Sequence, residues 1–138
     1  MRARRLTPRP TGRPESLTLD SGALIALERA DGRVRALLRL AHERRTPIAV
    51  PATVVAQVWR GTARQSPIAA LLNAPNVAVH ALDDQTARAA GVLCGRAGAS
   101  DVVDAHVVLI ARLTRSAVIT ADPAELAALD PDLTLHGL

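Results

Sequence analysis

The chain has 138 residues, is 49% hydrophobic and 22% charged, and carries a formal net charge of +4. That composition implies one globular domain with a real core and excludes an unfolded chain. Trp59 is the only aromatic residue and lysine is absent, so neither an aromatic platform for stacking bases nor a lysine-dependent phosphate loop can be built. Cys94 stands alone inside a small, apolar pattern, and no apolar run approaches a signal-peptide core or a membrane span. A cytoplasmic protein without membrane contact is expected.

The charge is unevenly spread. Residues 1–15 hold Arg2, Arg4, Arg5, Arg9 and Arg13 against Glu15, and with Pro8, Pro10 and Pro14 among them they read as a disordered basic tail ahead of a domain over 16–138. Residues 29–64 carry eight arginines against Asp31 and Glu43, whereas residues 83–138 carry four arginines against eight acids. A basic flank beside an acidic cluster suits a polyanion whose phosphates are drawn in by arginine and handled through a metal; solvated helix faces would give the same counts.

From Leu17 the pattern alternates. A short strand over 17–19 leads into a helix over about 22–30, and an Arg-rich helix over about 33–45 follows with Val34, Leu37, Leu38 and Ala41 at helical spacing. Ile48-Ala49-Val50 reads as a buried strand, with Pro51 opening a helix that runs to Gly61. Ser66-Pro67 opens another helix to about Asn73, Val77 to Leu82 forms a third strand, and Asp83 starts a helix to about Gly98. Ser100 is expected to cap the next helix, Ala117 to Thr120 is a fourth strand, Asp122-Pro123-Ala124-Glu125 is a capping-box arrangement, and Thr134-Leu135 suits a short fifth strand. Short apolar strands alternating with helices imply a three-layer α/β/α sandwich around a mostly parallel sheet.

The helix after Ser100 poses the sharpest question. It is apolar almost all round (Val102, Val103, Ala105, Val107, Val108, Leu109, Ile110), yet opens on Asp101 and Asp104, three residues apart and so on one face. Unpaired carboxylates at the edge of a core are costly, and Arg112 is two turns away. A cation is the natural partner. Asp20 directly follows the first strand and Asp122 the fourth. Open parallel sheets bind ligands at the carboxyl ends of their strands, so three separated segments can place four carboxylates in one cleft, the constellation preferred by hard divalent cations. Asp122 also explains itself as a helix cap, and Asp101 as a favourable charge at a helix N-terminus.

Three segments carry a resemblance: Leu19-Asp20-Ser21-Gly22-Ala23-Leu24, Ser100-Asp101-Val102-Val103-Asp104-Ala105 and Ile119-Thr120-Ala121-Asp122. In this order and at these junctions the chain resembles a PIN domain, in particular the small VapC-like toxins of bacterial toxin–antitoxin modules, over residues 17–135. The resemblance implies a parallel sheet between helices and a metal-dependent endoribonuclease using Mg²⁺ or Mn²⁺. It implies that Asp20, Asp104 and Asp122 are metal ligands or their supports, that Asp101 is an auxiliary member, and that Ser21 and Thr120 orient carboxylates or water through their hydroxyls. Gln57 stands where that family usually has a glutamate, within Pro51-Ala52-Thr53-Val54-Val55-Ala56-Gln57-Val58-Trp59; its amide oxygen can coordinate a cation but brings no charge.

Arg29, Arg33, Arg60 and Arg64 are candidates to hold an RNA backbone, because arginine forks match phosphate oxygens. The resemblance, with the apolar Val54, Val55, Val58 and Trp59, implies a homodimer that binds a small antitoxin protein. His42, His80, His106 and His136 show no metal-ligand spacing. The competing reading is a catalytically weakened PIN-like domain that serves as an RNA- or protein-binding regulatory module, and Gln57 is the residue that favours it. A phosphoaccepting receiver domain, which also gathers aspartates at a sheet edge, requires a lysine this chain lacks.

Overall fold

The computed structural model describes residues 16–138, so the basic segment 1–15 lies outside the described residues. Five strands form one sheet, β1 (Leu17–Leu19), β2 (Ile48–Pro51), β3 (Val77–His80), β4 (Ala117–Thr120) and β5 (Leu135–Gly137), in the order β3-β2-β1-β4-β5. All four pairings are parallel. Seven helices connect them: α1 (Ser21–Glu28), α2 (Gly32–Glu43), α3 (Ala52–Val58), α4 (Ser66–Leu72), α5 (Asp84–Ala97), α6 (Val102–Thr114) and α7 (Pro123–Leu129). The sandwich expected from the alternation is present. No helix of the described residues is long and apolar enough to cross a membrane.

β1, β2 and β4 are buried at every residue, as strands covered on both faces must be. The core joins Leu19, Val50, Val118 and Ile119 of the sheet to Leu24, Val34, Val54, Ile68, Val107, Val108 and Leu126 of the helices. Thr18 at the centre of β1 is wholly buried, and its hydroxyl is satisfied by that of Ser116. Cys94 is a buried free thiol in a smaller cluster with Ala90 and Ala105, as expected.

Three local expectations are corrected. The helix after β2 stops at Val58 rather than Gly61, which has φ +72, and a single 3₁₀ turn at Ala63–Gln65 precedes α4. Gln65 holds this break together: its Oε1 accepts from the amides of Arg60 and Gly61, and its Nε2 donates to Glu28 and to the Val58 carbonyl. α6 is capped by Asp101, not Ser100, because the Asp101 carboxylate accepts from the amides of Val103 and Asp104 at 3.0 Å each. Val54 and Val58, expected in an interface stripe, belong to the core, leaving Trp59, 39% exposed, at the surface.

Strand order fixes where the site lies. The chain moves outward from β1 through β2 to β3, then returns to lay β4 against the other side of β1. This reversal is the switch point at which such sheets open a crevice beyond their carboxyl ends. The register Leu19↔Ile119 brings the residues after β1 and β4 side by side there, and the Asp20 amide donates to the Ile119 carbonyl at 3.2 Å.

Candidate metal centre

Each carboxylate at this edge is positioned by a helix start. Asp20 caps α1, its Oδ1 accepting from the Ala23 amide at 2.9 Å; Asp101 caps α6; Asp122 caps α7, accepting from the Glu125 amide at 3.3 Å. Short polar residues that cap strand-to-helix junctions are thereby held at the carboxyl edge of the sheet. Gly22 allows the approach of the two central junctions, since a Cβ there would lie 2.5 Å from the Ala121 Cβ.

Carboxylate oxygens of Asp101, Asp104 and Glu125 all lie within 4.8 Å of one another. Asp101 and Asp104 meet because Asp101 caps the amide of Asp104 itself, rather than through two positions on one helical face. Glu125 comes from the first turn of α7. In a capping box its side chain would reach back to the Asp122 amide, but that amide is already bonded to the Thr120 hydroxyl at 2.9 Å. Glu125 is free to join the acids.

Electrostatics tie the remaining residues to this group. Asp104 is pushed up to about 7, first by burial, then by the charge of Asp101, a shared hydrogen bond with Glu125, and the charges of Glu125 and Asp20. Asp20 is also raised, mainly by burial and in part by Asp122, against the lowering effect of hydrogen bonds from Thr120, Ala23 and Gly22. A carboxyl that stays protonated near neutrality among three other acids marks a place where positive charge is missing. The donor set is all oxygen, and it fits a hard divalent cation.

Of the residues expected from sequence, Asp101 and Asp104 meet, with Glu125; Asp20 and Asp122, at the neighbouring ends of β1 and β4, stand outside that group, though the charge of Asp20 raises Asp104 and that of Asp122 raises Asp20. Ser21 donates its hydroxyl to Gln57 Oε1, tying α3 to the start of α1. Glu125, which the sequence reading did not single out, joins the acidic group. The available signal was its position in the first turn of a helix starting at a strand's carboxyl end, where side chains lean back toward the helix N-terminus and so toward the sheet edge. The four arginines expected to meet phosphate are all exposed. Arg29 starts the connection to α2, Arg33 reaches the Gly137 carbonyl at 3.4 Å, Arg60 bonds the Trp59 carbonyl, and Arg64 pairs with Glu28 at 3.5 Å. The histidines stay apart from the cluster; His106 is wholly buried, with Nδ1 2.8 Å from the Thr53 hydroxyl and its charged form disfavoured by burial.

The family model described as PIN domain matches residues 17–130, which span every one of these acids. The chain belongs to the PIN domain family. No curated protein sequence matches it. Among solved structures, the chain is similar to VapBC2 from Rickettsia felis bound to a DNA fragment from its promoter, with TM-score 0.65 and 15% identity, covering 88% of this chain and 98% of that one. FitAB bound to IR36 DNA follows at TM-score 0.60 and 15% identity, covering 88% and 94%, and PAE2754 from Pyrobaculum aerophilum at 0.57 and 17%, covering 87% and 90%. At such identities these likenesses establish the shared fold. The expected PIN-like architecture is therefore the observed one.

Proposed function

We propose that this PIN domain is a metal-dependent endoribonuclease, with Mg²⁺ or Mn²⁺ held by Asp20, Asp101, Asp104, Asp122 and Glu125, and that it is the toxin of a toxin–antitoxin pair. The observation that carries the reading is the cluster Asp101, Asp104 and Glu125 within 4.8 Å, with Asp104 pushed up to about 7. Bound there, a divalent cation would supply Lewis-acid activation of water and charge neutralisation on a phosphodiester.

The chain's own residues do the rest. Asp20 and Asp104, the two most desolvated acids of the group, would hold the cation; Thr120 fixes Asp20 through a hydrogen bond and the Asp122 amide through another. Ser21 and Gln57 orient each other at the rim. Arg29, Arg33, Arg60 and Arg64 engage the RNA backbone. The solved neighbours that are toxin–antitoxin complexes support an antitoxin as partner, and we extend this to a homodimer with Trp59 at its edge.

The test is RNA cleavage by protein freed of any co-purifying partner, with Mg²⁺, Mn²⁺ or chelator. Asp20→Asn and Asp104→Asn should each abolish cleavage in a folded protein, and wild-type rates in either would refute the site. The second reading, a weakened binding module, rests on Gln57: it predicts RNA binding without cleavage by the wild type at every metal concentration.

A further inference from the structure

Away from the metal centre, the outer side of the α5/α6 hairpin is unfinished. These helices meet through small side chains, Ala90, Cys94 and Ala105, with Leu93 and Leu109 packed at the margin. A groove of about 350 Å³ runs along this seam, lined by Arg88, Ala89, Val92, Leu93, Arg96, Leu109 and Arg112. Its apolar residues are only partly covered: Val92 is 53% exposed, whereas Leu93 and Leu109 are half-buried. On α6 the stripe continues, since Val102, Leu109 and Leu113 recur on one face, and Leu113 is 71% exposed. Every other apolar position of α6 is buried or half-buried.

The charges of the groove run against its surroundings. Residues 83–138 contain four arginines, Arg88, Arg96, Arg112 and Arg115, among eight acids, and three of the four line this groove. Arg112 is held by Asp130 at 2.8 Å, and Arg88 pairs in the open with Asp84. Arg96 has no ion-pair partner among the described residues. An apolar floor with an arginine rim is complementary to a helix with leucines on one face and carboxylates beside them. A nucleic acid would satisfy the arginines but leave Val92 and Leu113 in water, and no aromatic side chain lines the groove to stack its bases.

We infer that the α5/α6 groove is a docking site for an acidic amphipathic helix of a partner protein, distinct from the metal centre. The helix lays its apolar face over Val92, Leu109 and Leu113, and its carboxylates pair with Arg88 and Arg96. The acids of this half of the molecule repel such a segment from the surface around the groove.

The test uses the full-length protein and a fluorescein-labelled peptide of about 15 residues, long enough for about 22 Å of helix, with leucines at helical spacing and glutamates elsewhere. A control peptide replaces each glutamate by lysine. Fluorescence anisotropy should show the acidic peptide binding about tenfold or more tightly than the control, and the double variant Arg88→Glu, Arg96→Glu should weaken it by about tenfold or more. Leu113→Ser should weaken it by about fivefold while far-ultraviolet circular dichroism and metal binding stay unchanged. No binding, equal binding of both peptides, or insensitivity to these variants overturns the inference. So does displacement of the peptide by a uridine 15-mer whose own binding needs Arg88 and Arg96, which makes this a nucleic-acid face. A dimer in light scattering that Leu113→Ser dissociates makes it a contact between copies and overturns the inference as well.

Discussion

Asp104→Asn separates the electrostatic reading of the cluster from a merely structural one. Asp104 titrates near 7 in the fold against 3.8 ordinarily, so the folded protein prefers the protonated acid. Stability contributed by this preference is fully present at low pH, falls as pH rises from about 4 to about 7, and is gone above it. Three units correspond to about 4 kcal/mol for a fully buried group; Asp104 is only half-buried, and solvent screening brings the usable figure to about 1–2 kcal/mol. Asparagine keeps the shape of the neutral acid without the charge. In chelator at pH 8 the variant should therefore melt higher than wild type by about 3–8 °C, with most of the gain gone at pH 4. Saturating Mn²⁺ should invert the order, because wild type gains about 2.7 kcal/mol at a hundredfold excess over Kd and the variant gains little. Thermal melts on a grid of pH and Mn²⁺ read all of this. A gain that is the same at pH 4 and pH 8, or Mn²⁺ stabilising both proteins equally, would refute the reasoning.

Three further outcomes are expected. Glu125→Gln should weaken divalent binding in calorimetry by about tenfold while leaving the α7 cap intact, since the Asp122 carboxylate bonds the Glu125 amide rather than its side chain; unchanged binding would remove Glu125 from the site. Gln57→Glu should tighten divalent binding and raise cleavage at limiting metal, yet lower the melting temperature in chelator, because one more like charge joins the acids; identical titrations and melts would place it outside. Gly22→Ala should cost about 1–3 kcal/mol in chemical denaturation, because its Cβ would lie 2.5 Å from the Ala121 Cβ and force the two central junctions apart.

The sheet was legible because its central strands are short, mostly apolar and buried on both faces. β4 falls where Ala117 to Thr120 predicts it, and β1 on Leu17 to Leu19. Asp20 and Asp122 were legible for the same reason, as charges at strand ends. Helix ends were harder to read, since several residues compete to cap the same turn. Ser100 and Asp101 are both good caps, and only the backbone decides that Asp101 takes the amides of α6. The α3 stripe misled because Val54 and Val58 repeat at a spacing that suits an interface as well as a core, and burial alone separates the two. Glu125 was hidden by a sufficient local explanation. A capping box accounts for the residue fully, and nothing in the sequence says that Thr120 has already taken the Asp122 amide.

The pairing of β1 with β4, Leu17↔Ala117 through Leu19↔Ile119, has a temporal consequence. The acids come from both ends of the domain, so synthesis passes Asp20 long before it reaches Glu125. A nascent chain still lacking β4 and α7 has no partner for β1 on that side, no Thr120 to bond Asp20, and no Glu125 to complete the group that Asp101 and Asp104 begin. The edge is thus completed late, after residues 117–138 have left the ribosome far enough to fold. If the proposed ribonuclease reading holds, that delay would keep the unfinished molecule harmless to the RNA machinery that is making it.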